Sequence, residues 1–551
     1  MQVRPRLCAL CTLFRSSFCD KRFQHQRSRR MSPGWKPSDS ALGFDAATKL
    51  HGHICLPNMR RLILVVLYGA AGLLATLYTT STVARLVTPL SPNGFPESSA
   101  PATPPAEALS DLNWTACPAG KDITAELHFR LWDDKLAHAL RLSAKVLPRA
   151  ENESWHAVTE HIHVFSAFVA ADERRKIIIS SLVRSHAPKC NGTPIQHPPL
   201  QCIIRTSNET ITHKAYIRMM WTYFNPSFKN AVITCRSPNG TSPAGDYVQV
   251  AIAATASNAT SLRWLKLHYQ PKESTGTCCA VCVRPLFGAV SLWKIVEFIA
   301  HYRVVGARTF YFYDLNMNAD LKLLVAWMQS MGVDLTLVPF KLIVDTTVEN
   351  EHVQAHGQMP ALYDCIFRSL SKTEYYVHVD IDELMVALPN FSIPAFLRNA
   401  QRKSEVSFGS FVLPSRFHCA EYPRNLRHSS YKLLPLQTRL FAYHTVYMSD
   451  DGVTKYIARS RTVCEPAVHQ VKKHCGPAAK YLLDSSQAFI KHYRPCCDLG
   501  RSSYHAEVSK LWTVALVSAD SSFTELSARI EDEAITKALR RLIAYTNSAW
   551  L

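Results

Sequence analysis

The longest apolar stretch of the chain runs from Leu62 to Ala84, 23 residues without a charged side chain, bounded by Arg60-Arg61 and Arg85. That length matches the hydrocarbon core of a bilayer, so the pattern predicts a transmembrane helix over 62–84. Basic residues before it predict a cytoplasmic N-terminal side and a luminal remainder, a single-pass type II arrangement. Residues 85–112 then read as a stem: Pro89, Pro92, Pro96, Pro101, Pro104 and Pro105 stand among Ser, Ala and Thr and cannot build a core. Between 113 and 277 the apolar positions come in short β-rich runs separated by turn signals. His163-Val-Phe-Ser-Ala-Phe-Val, Lys176-Ile-Ile-Ile-Ser, Gln201-Cys-Ile-Ile-Arg and Tyr247-Val-Gln-Val-Ala-Ile are examples, and they predict a β-rich module of its own.

After Cys282 the period changes. Ser291 to Tyr302 carries Leu292, Ile295, Val296 and Ile299 on one helical stripe, and Gly306 ends it. Thr309-Phe-Tyr-Phe-Tyr reads as a strand ending at Asp314, Leu321 to Met331 as a helix closed by Gly332, and Asp334-Leu-Thr-Leu-Val as the next strand. Gln354 to Leu370 is mostly helical in pattern, followed by the strand Tyr375-Tyr-Val-His-Val. This order predicts an α/β fold with a mostly parallel sheet covered by helices over residues 278–520. A surface helix is expected within 521–551, acidic early and basic late, in keeping with the helix dipole.

Charge changes the picture less than its size suggests. The formal balance is +19, but residues 1–61 hold twelve Lys and Arg against three Asp, so a net +9 lies in this basic, cytoplasmic leader. Nucleic-acid binding is therefore not expected. Met59 directly before the span offers a second start that would omit the preceding 58 residues. Sequons at Asn113, Asn152, Asn191, Asn208, Asn239, Asn258 and Asn390 all follow the span, in agreement with a luminal part. Thirteen of the seventeen cysteines also lie beyond it, where disulfides can form. Cys279-x-x-Cys282 has no second Cys-x-x-Cys to complete a zinc site, and Cys278-Cys279 and Cys496-Cys497 read as crowded disulfide partners.

The candidate chemistry centres on Asp380-Ile-Asp382-Glu383, which follows the Tyr375–Val379 run. Alternation along a strand puts Asp380 and Asp382 on one face and Glu383 on the other. Two hard oxygen donors at that spacing suit Mn²⁺ or Mg²⁺, and such an ion suits a substrate diphosphate. The chain has no Gly-x-Gly-x-x-Gly and no Gly-x-x-x-x-Gly-Lys-Ser/Thr, which excludes the usual dinucleotide fingerprint and P-loop. Arg284 and Asp314, at predicted strand ends, are candidates for nucleotide contacts. Lys455 is a candidate for a phosphate contact, and Asp364 and Arg368, four apart on a predicted helix, suit an ordinary ion pair.

Several ordered segments resemble glycosyltransferase family 92: Phe165-Ser-Ala-Phe with Asp172-Glu-Arg174, Val283-Arg284-Pro285-Leu286, Val296-Glu297-Phe298, Gly306 to Asp314, Asp364-Cys365 with Arg368, Val379 to Glu383, and Lys491-His492-Tyr493-Arg494. The resemblance spans about residues 155–520. It implies a GT-A-type fold, a UDP-sugar donor, Mn²⁺ dependence, inversion at the anomeric carbon, and a β-1,4-galactosyltransferase-like activity on glycan acceptors of glycoproteins or glycolipids in the Golgi membrane. It also implies that Asp380 and Asp382 are the metal-binding pair, that His469 or His492 completes the metal site, and that Asp364 is a sugar-nucleotide residue. An inverting transfer needs a carboxylate base, for which Glu421, Asp450 and Asp451 are candidates. A catalytically inactive glycan-binding or scaffolding protein on the same fold is the alternative.

Overall fold

Regular alternation in the first β-rich runs produces a barrel. The computed structural model describes residues 123–548 apart from 144–147, 152, 171–175, 186–194, 221, 223–225, 237–245, 256–261, 271–277, 345–351, 403–406, 421–432, 442–443, 446–453, 495–515 and 518–521. Strands β1 (His156–Thr159), β2 (Ile162–Val169), β3 (Ile177–Arg184), β4 (Leu200–Thr206), β5 (Thr210–Met219), β6 (Phe228–Cys235), β7 (Tyr247–Ala254) and β8 (Leu265–Tyr269) lie in the order β1-β2-β3-β6-β5-β4-β7-β8. A further pairing of β2 with β8 closes strands β2 to β8 on themselves. That seam is parallel, whereas the other ladders of the barrel are antiparallel. Closure removes the free edges that an open sheet of this kind would expose. Val164, Ile179, Cys202, Ile204, Ile233 and Val250 fill its core, and a Cys202–Cys235 disulfide joins β4 to β6.

The second sheet runs β10-β11-β9-β13-β18-β15-β21, with β12 also on β11. Its strands are β9 (Cys279–Val283), β10 (Leu286–Gly288), β11 (Thr309–Met317), β12 (Asp334–Pro339), β13 (Tyr375–Val379), β15 (Phe408–Leu413), β18 (Lys455–Arg459) and β21 (Ala479–Leu482). β9 to β13 pair in parallel, but β18 enters antiparallel to both β13 and β15. A smaller sheet holds β14 (Glu383–Ala387), β22 (Ala488–Arg494), β16 (Ser415–Cys419), β17 (His444–Thr445) and β23 (Leu516–Val517). β19 (Val463–Pro466) and β20 (Val471–His474) form a hairpin bridged by Cys464–Cys475.

Helices are α1 (Ile123–Ser143), α2 (Leu292–Val304), α3 (Ala319–Ser330), α4 (Gln358–Ser369), α5 (Ile393–Arg402), α6 (Gln437–Leu440), α7 (Ser522–Asp532) and α8 (Ala534–Ser548). Alternation along the central strands sorts them between two layers. Val281, Val283, Phe310, Phe312, Val377 and Val379 pack with α1, α2, α3, α7 and α8. Their neighbours Ala280, Cys282, Tyr311, Tyr313 and Tyr376 pack with α4 and with barrel residues Phe165 and Leu182. Every residue of β2 is buried. The reason is that Phe165 and Phe168 turn away from the barrel interior toward Trp155, Phe340 and Phe367.

Two expectations are corrected. The GT-A-type α/β architecture with a mostly parallel sheet gives way to a β-rich molecule containing a closed barrel and a mixed sheet. Strands joined by turns return antiparallel, and after β13 few helices separate the apolar runs. The single-pass membrane protein and its Golgi-membrane placement are also withdrawn: among the described residues no helix is long and apolar enough to cross a membrane. The apolar run 62–84, the leader and the stem lie outside the described residues.

Candidate functional site

β13 ends at Val379, and the chain turns at once rather than continuing as a strand. Asp380, Ile381 and Asp382 form that turn, closed by Glu383 N donating to the Asp380 carbonyl at 3.1 Å. The Glu383 side chain folds back and accepts from Asp380 N at 2.8 Å. Glu383 then opens β14 in the other sheet, opposite His492 on β22. The alternation reading fails here for a local reason: a turn, unlike a strand, brings residues three apart together. Glu383 is therefore part of the same cluster as Asp380 and not behind it. Its sequence signal is the fresh apolar run Leu384 to Ala387, which marks a second strand starting at Glu383.

Lys455, the first residue of β18, reaches into the turn. Its Nζ lies 3.0 Å from Asp380 Oδ2 and 2.9 Å from Glu383 Oε2, and the side chain is buried. Burial works against every charge in this group, and the pairs decide the outcome. The Asp380 carboxyl is held well below the usual range, because Lys455 and Arg284 outweigh its desolvation. Burial pushes Glu383 up despite Lys455. The lysine is pushed above its ordinary value by the two carboxylates, against its own burial. Gln358, at the start of α4, donates to Asp380 Oδ1 at 3.4 Å and also approaches His378 Nε2 at 3.3 Å.

Asp382 is the carboxylate that meets solvent, with its side chain 37 % exposed. His492 Nε2 is 3.6 Å from its Oδ2, and His492 Nδ1 is 3.4 Å from Glu383 Oε1. Burial alone would lower that imidazole, but Glu383 and Asp382 raise it above 6.5. His469 stands close enough to feel Lys455, Asp380 and His492, and burial brings it down to about 4. Its Nδ1 pairs with the Thr454 carbonyl at 2.9 Å, which as a donor bond makes Nε2 the lone-pair nitrogen.

The remaining candidates separate. Arg284 follows β9 at this same edge and acts on Asp380 through space. Asp314 is engaged locally: Met317 N donates to it at 2.8 Å and Lys322 Nζ lies 2.8 Å away. Asp364 is fully buried, bound by Arg368 through two contacts of 2.9 Å and by the Tyr313 hydroxyl at 2.7 Å. Arg368 also faces Glu153 at 3.6 Å, so this pair fastens α4 toward the segment that leads into the barrel. Glu421, Asp450 and Asp451 lie outside the described residues.

The donor set at the turn, carboxylates of Asp380 and Asp382 with the imidazoles of His492 and His469, has the chemistry a divalent ion takes. Among the described residues, however, no three His, Cys, Asp or Glu side chains are grouped to hold one, and Lys455 already engages Asp380 Oδ2 and Glu383 Oε2.

No curated protein matches the chain. Among solved structures, one titled "Crystal Structure of a Mycobacterial Protein" is similar at 15% identity, over 44% of this chain and 77% of its own, with a TM-score of 0.23. The model of Glycosyltransferase family 92 matches residues 279–537, which contain β9 to β23, the Asp380–Glu383 turn, Lys455 and His492. Over these residues the chain is similar to glycosyltransferase family 92.

Proposed function

We propose that the chain moves a hexose, galactose first among candidates, from a UDP-sugar to a glycan acceptor on glycoproteins or glycolipids, with inversion at the anomeric carbon. The observation that carries this reading is the turn after β13, where Asp380, Asp382, Glu383, Lys455 and His492 converge within the family-matched region. In the proposed step an acceptor hydroxyl attacks the anomeric carbon, the bond from that carbon to the diphosphate oxygen breaks, and the hydroxyl proton passes to a carboxylate. Glu421, Asp450 and Asp451 are the candidates for that base. Asp382 and His492, the two groups of the turn that Lys455 does not engage, would be the ones to hold Mn²⁺ or Mg²⁺, which would supply positive charge against the departing diphosphate. Lys455 keeps Asp380 ionised and oriented, and Arg284 adds positive charge at the same edge.

The reading is tested by a donor screen of the protein with each UDP-sugar and Mn²⁺, scored by UDP release and by product. Galactose transfer that is lost on chelation and restored by Mn²⁺ is the expected result. Glycan binding without turnover of any UDP-sugar would replace it with the non-catalytic alternative. Transfer that persists after exhaustive chelation would remove the metal from the account while leaving the transferase.

A further inference from the structure

A cleft of about 590 Å³ lies where β3, β5 and β6 of the barrel meet α4 and the Ser460–Cys475 segment. It is far from the Asp380 turn. Lys455 stands at one end of β18 and Ser460 follows the other, so a separation of about 16 Å results from the rise of an extended strand. The volume is within the range of about 300–1,000 Å³ typical of small-molecule sites.

Lys176, Arg218, Arg236 and Arg461 line this cleft, and among the described residues the lining holds no carboxylate. Arg218, Arg236 and Arg461 are exposed, and Lys176 and Arg461 already have interactions of their own. Glu465, next after Cys464, acts on Tyr363 through space but is not part of the lining. Some of this charge is already used, since Arg218 and the Tyr363 hydroxyl both donate to the Cys464 carbonyl at 3.0 Å. Two other polar groups are not. Ser460 is 3% exposed and its Oγ has no partner, and the buried Gln270 Nε2 has none either. A buried hydroxyl and amide left unpaired each carry a desolvation cost that a ligand can remove. Aromatic faces complete the lining, with Tyr216 49% exposed and Phe367 deeper.

Cations suit an anionic group, buried single donors and acceptors suit hydroxyls, and an exposed aromatic face suits the C–H face of a sugar ring. We infer that this cleft binds an anionic saccharide, a short oligosaccharide carrying a carboxylate or a sulfate, at a site separate from the transfer centre. The choice of a saccharide rests on the transferase reading, in which the protein handles glycans; the anion preference rests on the lining itself. Bound there, such a glycan would hold its carrier against the barrel while another part of it reaches the Asp380 edge.

Calorimetry on the full chain with 3′-sialyllactose, lactose 3′-sulfate, lactose, UDP and inorganic phosphate tests this directly. At least one of the two anionic sugars should bind tenfold or more tightly than lactose, and which of them does so identifies the anion. Arg236→Ala combined with Ser460→Ala should weaken that binding at least tenfold, and the exposed position of Arg236 makes Arg236→Ala alone a variant that keeps the fold. Equal binding of lactose, unchanged binding in both variants, phosphate binding as tightly as the sugars, or displacement by UDP would each overturn the inference. Asp382→Asn separates it from the transfer reading: saccharide binding should survive in that variant, whether or not transfer does.

Discussion

Lys455 shows how much a single side chain decides at the turn. Its ammonium bridges Asp380 and Glu383, and removing it leaves two buried carboxylates without their cation. Lys455→Met should therefore destabilise the protein by about 3–5 kcal/mol, the usual consequence of breaking a buried pair from one side, and chemical denaturation reads the loss. A cost near zero would mean that solvent already screens the turn. Asp133 gives a second prediction, with the opposite sign. It accepts from Trp293 N at 3.0 Å and Ser291 Oγ at 3.2 Å at the start of α2, and burial, only partly offset by these bonds, raises its carboxyl to about 6. A folded pKa above the unfolded 3.8 means the native state binds the extra proton between those values, so stability declines as pH rises from about 4 to 6. Asp133→Asn keeps an acceptor without the charge. It should be more stable than the parent by about 1–2 kcal/mol at pH 7.5, with most of the gain gone near pH 4. Urea melts at the two pH values check this, and equal stability at both would contradict the shift. At this scale strand alternation, carried past Val379 as far as Glu383, set Glu383 apart from Asp380, whereas the turn brings the two together.

The elements after Cys282 were legible because their periods are clean. The stripe Leu292, Ile295, Val296, Ile299 became α2, and Thr309 to Tyr313 lies in β11. The helix α1 was not anticipated, although Phe129, Trp132, Leu136 and Leu140 recur at helical spacing and are all buried. Its neighbours in sequence form strands, and that context obscured a helix whose partners lie more than a hundred residues away. Trp132 meets Trp293 edge-on at 5.7 Å between ring centroids, and Trp293 Nε1 donates to its carbonyl at 3.0 Å. Trp132→Ala should cost about 3–5 kcal/mol through the cavity it leaves. Hydrogen exchange should show α1 losing protection before the sheet does; a uniform loss would argue that α1 is no separate unit of stability.

For the whole molecule, the barrel was predicted only as a β-rich module, since closure depends on the pairing of β2 with β8, about a hundred residues apart in the chain and without a local signal. The mixed character of the second sheet was hidden for the same reason: β18 is distant in sequence from both strands it joins. What ties barrel and transferase sheet together is aromatic. Phe165 stacks on Trp155 at 4.9 Å and meets Phe340 at 5.1 Å, and Phe340 in turn meets Tyr313. Phe165→Ala should lower stability by about 3–5 kcal/mol, and differential scanning calorimetry should show two transitions where the parent gives one. The central claim, transfer at the Asp380–Glu383 turn, is tested most directly by UDP-galactose turnover in Asp382→Asn beside the parent protein at matched folded fraction. Asp382 is the solvent-facing carboxylate of the cluster and carries no lysine pair, so its substitution should leave the fold intact while turnover falls by about a hundredfold or more. Turnover equal to that of the parent would place the chemistry elsewhere.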